Sequence, residues 1–248
     1  MPNNSQSADA AVNTLSSAAK LPRLRAAVNH VARNMLRLEN AFYEYRFGIA
    51  THGLYNWKPG DCSQNEHLYY YASSYRRVFR ILDALRLGPS DTFIDLGCGK
   101  GRVTCCASLY PICEVIGIED IQELCTTAEK NLRLLRGKRA PARIVHGRAE
   151  EFEFTKGTVI YMFHSLGPKT LAAVLSQLDK GLRTNPRDIK IVYVNPVHER
   201  VLTGMKWLEL YDRWPSPRHL WTNIVHPVSF GRVRDGHDSI AAQVRIPR

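Results

Sequence analysis

A chain of 248 residues with 44% hydrophobic content is long enough to bury one substantial core, so a single domain with at most a small appendage is expected. Lys+Arg 34 against Asp+Glu 23 gives a net charge of +11, which attracts anionic partners such as nucleic acid, acidic glycans or lipid headgroups without selecting among them. No apolar run reaches transmembrane length; six cysteines with neither a C-x-x-C pair nor a suitably spaced His argue against a metal site and for buried thiols in a reducing, cytoplasmic compartment.

Residues 1–19 are small and polar and read as a disordered leader. From Leu21 on, Leu24, Val28, Val31, Met35, Leu38 and Phe42 recur at three and four with arginines between them, the pattern of an amphipathic helix packing on the main domain. A loop rich in Gly and Pro follows over 48–66, and a second helix is expected from about Tyr69 to Leu85, ended by Gly88-Pro89-Ser90. The segment 20–86 therefore reads as a helical cover and 87–248 as the main domain.

Beyond Gly88, short apolar runs alternate with segments of helical period. The runs are Thr92 to Leu96, Val115 to Ile118, Ala142 to Val145, Thr158 to Phe163 and Ile189 to Val194; the intervening helices include Gln122 to Leu135 and Lys169 to Leu182. Such alternation describes parallel strands covered on both faces, an α/β Rossmann-like doubly wound sheet. Trp207 to Tyr211 and Asn223 to Val233 add an antiparallel pair at one edge.

At the end of the first run stands Asp95-Leu96-Gly97-Cys98-Gly99-Lys100-Gly101-Arg102, whose glycines let the backbone turn sharply and approach a ligand. A dinucleotide loop wants a third glycine or alanine where Arg102 stands and does not need Asp95; an acid before G-x-G-x-G suits a ligand carrying an ammonium beside its carboxylate. At the end of the next run Glu119 is placed to accept both hydroxyls of a ribose, with Asp120 as the alternative if the strand runs one residue longer.

With these two motifs in strand context, the region from Tyr69 to Pro196 resembles the class I S-adenosylmethionine-dependent methyltransferases. The resemblance implies a seven-stranded sheet with one antiparallel edge strand and S-adenosyl-L-methionine as cofactor, without a metal. It sets Asp95, Gly97 and Gly99 at the methionine end and Glu119 at the ribose. The third motif departs: His146-Gly147-Arg148-Ala149-Glu150 has Arg148 where relatives often carry an adenine-binding acid, and arginine cannot accept a hydrogen bond, so the backbone near Ala149 or the carboxylate of Glu150 must serve. The Tyr71-Ala72-Ser73-Ser74-Tyr75 and Leu166-Gly167-Pro168 segments resemble a branch that includes nucleosomal lysine methyltransferases, in which Tyr71 and Ser74 would close over the methionine end; helix packing and capping are the alternative for both.

After the fourth run the chain reads Phe163-His164-Ser165-Leu166-Gly167-Pro168 in place of the Asp/Asn-Pro-Pro-aromatic of many amino-group methylating enzymes. An imidazole beside a methyl donor suits removal of a proton from a hydroxyl, so the sequence points to O-methylation of a small-molecule or glycan acceptor with His164 as base. Helix capping or packing is the other role open to His164, and His198 is a second candidate of the same kind. Protein lysine N-methylation and a cofactor-binding partner protein without catalysis are the alternatives. The aromatics Trp57, Tyr69, Tyr70, Tyr71, Trp214 and Trp221 fall in the segments expected to cover the site. The basic stretch Lys130, Arg133, Arg136, Lys138, Arg139, Arg143 and Arg148 leads into a strand from the edge opposite the ligand edge, which speaks for a solvated face and against nucleic acid as substrate.

Overall fold

The computed structural model describes residues 30–53, 72–164, 166–215 and 226–234. Seven strands form one sheet: β1 (Thr92–Leu96), β2 (Glu114–Glu119), β3 (Ala142–His146), β4 (Val159–Phe163), β5 (Lys190–Val194), β6 (Leu208–Trp214) and β7 (Val228–Val233). Their order is β3-β2-β1-β4-β5-β7-β6, with the first five parallel and β7 antiparallel to both β5 and β6. β1 to β5 match the expected runs within a residue at their ends, whereas β6 runs on to Trp214 and β7 starts at Val228, residues 223–225 lying outside the described residues. The antiparallel strand is not at the edge as expected but is β7, inserted between β5 and the edge strand β6.

The period-2 alternation of each strand divides its side chains between two cores. Phe93, Val115, Tyr161, Val192 and Phe230 face one layer of helices: α1 (helical from 30 to 47), α2 (Tyr75–Leu85) and α3 (Arg102–Ala107). Ile94, Ile116, Met162, Ile191 and Leu208 face the other, built by α5 (Pro168–Thr184) and α6 (Glu199–Thr203). The remaining helix, α4 (Gln122–Leu134), lies along β2 and β3. Because both sheet faces are covered, β1 is buried at every position. The helices of the 20–86 segment thus share a core with the sheet.

Two expectations from helical periodicity are corrected. The helix expected from Tyr69 begins at Tyr75, because Ser74 is extended (φ −60°, ψ 147°) and its Oγ accepts the Arg77 N–H at 3.3 Å as N-cap; Ser73 and Ser74 precede the helix, and Tyr69 to Tyr71 lie outside the described residues. The apolar stripe expected to pack α1 on the domain faces away from it: Met35 and Leu38 are 63% and 72% exposed, and the packing is made by Tyr43 and Phe47 on another face.

Cys98, Cys105, Cys106 and Cys125 are buried free thiols and Cys113 is exposed. Cys105 and Cys106 are both fully buried although adjacent, since every residue of α3 is enclosed. The basic stretch is exposed along α4, its return loop and the edge strand β3, where Arg143 pairs with Glu114 at 2.9 Å. Among the described residues no helix is long and apolar enough to cross a membrane.

Candidate functional site

In a parallel sheet the loops after the strands gather at the carboxyl edge, and the reversal between β1 and β4 opens a crevice there. The glycine loop is the first element of that edge. Gly97, Gly99 and Gly101 have φ of 68°, 56° and 80°, a left-handed backbone that favours glycine. The loop is tied to β2 by the N–H groups of Gly97 and Cys98, which donate to the Ile118 carbonyl at 2.9 and 3.0 Å. Close packing is enforced at Gly101, where a Cβ would stand 3.0 Å from that of Ala128.

Asp95 is 2% exposed and ties the end of β1 to α3, the helix that follows the loop: its Oδ2 accepts the Thr104 hydroxyl at 2.7 Å and the Thr104 N–H at 3.1 Å. Burial lifts its pKa to about 7 against these two donors. Glu119 stands at the end of β2 beside the loop, accepting N–H groups from Gly99 at 2.8 Å and from Ile121 at 3.2 Å. Burial, reinforced by the neighbouring Asp120, raises its pKa to about 8. The strand ends at Glu119 itself, and His146 points its Nε2 at the Asp120 carbonyl, 3.1 Å away.

The third motif, where the sequence offers the Ala149 backbone or the Glu150 carboxylate, forms a tight turn after β3. Ala149 is buried in the second core at the start of a 3-10 turn over Ala149–Glu151. The Glu150 carboxylate is engaged by the Arg148 guanidinium, which also lies 3.7 Å from Glu151. Arg148 is thus an ion-pair partner of Glu150, one of the two groups the sequence offers in place of the missing acid.

A second group of residues lies at the same edge between β4, β5 and the start of β7. His164 is exposed, has φ 38°, and donates its N–H to the Val194 carbonyl at 3.1 Å. Its ring centre is 5.8 Å from that of His198. His226 packs against Phe163 at 5.2 Å, and burial, then His164, then Arg77 lower its pKa. Arg77 Nη2 donates to the His226 carbonyl at 2.9 Å while its guanidinium faces the Trp214 ring at 5.4 Å. Topology brings these residues together: β7 runs backwards, so its first residue, Val228, pairs with the last of β5, Val194, and of β6, Trp214. Ser74 caps α2, while Tyr71, Trp57 and Trp221 lie outside the described residues.

Sequence reasoning missed a buried network behind the loop. Arg102, 3% exposed, donates Nε to the Thr51 hydroxyl at 2.8 Å, and Nη1 to the Ser73 carbonyl at 2.7 Å and Asn40 Oδ1 at 2.9 Å. Glu44 accepts the N–H groups of Thr51 and His52 at 2.7 and 2.8 Å and pairs with the His52 imidazole. Burial would raise its pKa, but those donors and the imidazole hold it below the usual value. Lys100 Nζ donates to the His52 carbonyl at 3.0 Å, and Asn131 Nδ2 bridges the carbonyls of Ala50 and Lys100 at 3.1 and 2.9 Å. Residues 50–53 are thereby fixed across the glycine loop. Arg102 carried one signal in the sequence, its occupation of the position where a dinucleotide loop wants a small residue.

The residues fit S-adenosylmethionine. A carboxylate accepts about four hydrogen bonds, and the two N–H contacts of Glu119 leave it capacity for a ribose diol. A buried carboxyl raised to about 8 by burial and by Asp120 is stabilised in its ionised form by such donors. Among the described residues no group of three or more His, Cys, Asp or Glu is arranged to hold a metal ion.

Known proteins agree with this geometry. The family described as "Histone methylation protein DOT1" matches residues 65–158, which spans the glycine loop and Glu119 and ends one residue before β4. A protein named protein-lysine N-methyltransferase from Saccharolobus islandicus (strain REY15A) is 30% identical over 102 residues, 39% of this chain and 60% of that relative's length. Among solved structures, a SAM-dependent methyltransferase from Methanosarcina mazei aligns with TM-score 0.50 at 13% identity, over 66% of this chain and 99% of the other. The ribosomal protein L11 methylase of Lactobacillus delbrueckii subsp. bulgaricus aligns with TM-score 0.50 at 16% identity, over 63% and 77%. Sheet order, glycine loop and strand-end acid give the chain the fold of the class I S-adenosylmethionine-dependent methyltransferases, and the likeness to a histone-methylation family covers the glycine loop and Glu119.

Proposed function

We propose that the chain transfers a methyl group from S-adenosylmethionine to the side-chain nitrogen of a protein lysine. The observation that carries this reading is the match of the cofactor half to a histone-methylation family, supported by the relative named for lysine N-methylation. Bound at the glycine loop and Glu119, the cofactor supplies an activated methyl on sulfur, and the chain supplies alignment and a proton acceptor. A lysine ammonium must lose a proton before its nitrogen can attack. His164, exposed at the end of β4 beside His198, is the group we assign to that step, since an imidazole titrates near neutrality. Gly97, Gly99 and Glu119 are assigned to the cofactor, with Asp95 tying β1 to the helix after their loop and the turn at Ala149 and Glu150 flanking the adenine.

The same exposed imidazole favours a second reading, O-methylation of a small-molecule or glycan hydroxyl. A cofactor-binding partner without turnover is a third, motivated by the engagement of Glu150 with Arg148. In each case the buried thiols accord with a reducing, cytoplasmic setting. Incubation with methyl-labelled cofactor and host lysate separates them. Acid-precipitable label recovered as methyl-lysine after hydrolysis is the expected result. Label in an organic-soluble or oligosaccharide product overturns it in favour of the hydroxyl acceptor, and cofactor binding with no label in any fraction overturns it in favour of the inactive partner.

A further inference from the structure

An amphipathic helix serving one domain needs a single apolar stripe, and α1 has two. Tyr43 and Phe47 on its inner face join the core with Tyr75 and Phe79. On the outer face Val31, Met35, Leu38, Phe42 and Tyr45 are exposed by 57, 63, 72, 61 and 84%. Their spacing alternates four and three, the a and d positions of a heptad, and in the sequence it continues backwards through Val28, Leu24 and Leu21.

The character of this stripe selects its occupant. A seven-residue repeat keeps its seam only against a helix wound with the same period, because a straight helix drifts by about 20° per heptad. A second copy of the chain brings such a helix, and two-fold symmetry makes the stripe complementary to itself. Charge agrees: the chain carries +11 overall, yet the residues flanking the seam, Ala32, Asn34, Glu39, Ala41 and Arg46, present no ridge of like charge. So does area: at these exposures the outer side chains offer on the order of 700 Å², near the roughly 800 Å² per partner of a standard interface.

We infer that α1 pairs through Val31, Met35, Leu38, Phe42 and Tyr45 with α1 of a second copy in a two-stranded coiled coil. The pairing is independent of the acceptor that is methylated. Sedimentation velocity on the full chain is expected to show a dimer. Met35→Glu combined with Leu38→Glu is expected to weaken association at least a hundredfold and leave far-ultraviolet circular dichroism unchanged, since both side chains already lie outside the core. Arg33→Glu, on the same helix but off the stripe, should remain dimeric. Should the double variant fail to fold, Leu38→Ala, which only trims an exposed side chain, carries the test with a weakening of about tenfold. A wild-type chain that stays monomeric up to high micromolar concentration overturns the inference, as does a dimer that survives the seam substitutions undiminished.

Discussion

The guanidinium carbon of Arg102 lies 4.2 Å from the centre of the Tyr75 ring, so the first residue of α3 is clamped against the first residue of α2. The same guanidinium reaches Thr51, Ser73 and Asn40. Lysine keeps the charge but loses both the planar fork and the stack. Arg102→Lys should therefore cost on the order of 2 kcal/mol in urea titration, the scale of lost hydrogen bonds to a charged group. An unchanged midpoint would show that the network is dispensable.

Gly101 tests the glycine loop itself. Alanine there meets two penalties, a φ of 80° and a Cβ placed 3.0 Å from the Cβ and 3.3 Å from the Cα of Ala128. Gly101→Ala should destabilise by roughly 1–3 kcal/mol and weaken binding of S-adenosylhomocysteine. Adding Ala128→Gly relieves the contact but not the backbone strain, so a double-mutant cycle should return a favourable coupling term between the two positions. Strict additivity would show that the clash contributes nothing.

The two raised carboxyls give stability and ligand affinity opposite pH dependences. Asp95 and Glu119 move up from 3.8 and 4.5 to about 7 and about 8, so the native state holds protons that the unfolded chain has released. Their contribution to stability is full below the unfolded values and declines as the pH rises toward 8. Ribose hydroxyls donate to the ionised form of Glu119, so affinity for S-adenosylhomocysteine should rise over the same interval, with proton release seen by calorimetry in buffers of different ionisation heat. Glu119→Gln should flatten the affinity profile; a profile that persists in this variant would assign the titration elsewhere.

At the acceptor side, His164→Ala should lower kcat/KM by roughly a hundredfold near neutral pH, the lower end of general-base contributions. It should also remove the limb of the pH profile that belongs to the imidazole, and His198→Ala should have the smaller effect. Unaltered turnover in the His164 variant would leave deprotonation to solvent.

The sheet was legible because its information is local. Continuous Val and Ile runs between helical segments placed β1 through β5, and the acid-led glycine turn and Glu119, read as one site, do come together at the carboxyl edge of the sheet. Residues whose partners are remote were not legible. Arg102 finds Asn40, Glu44, Thr51 and Ser73, up to 62 positions away, and nothing in the residues adjoining Arg102 announces them. His226 reaches His164 only because β7 reverses direction, a feature of topology. The orientation of α1 was misjudged for a related reason: periodicity reveals that a stripe exists, and the outer stripe outranks the inner one in hydrophobicity, whereas the inner one has the glycine loop and its buried polar network to hold.

That network makes the matched stretch less portable than its boundaries suggest. The matched stretch begins at residue 65, but Asn40, Glu44 and Thr51, which satisfy Arg102 inside it, lie upstream. A protein trimmed to the matched boundary would bury a guanidinium left with Ser73 alone of its four acceptor residues and would lose the strap that Lys100 and Asn131 hold in place. Swapping this half into a relative would require carrying α1 along with it.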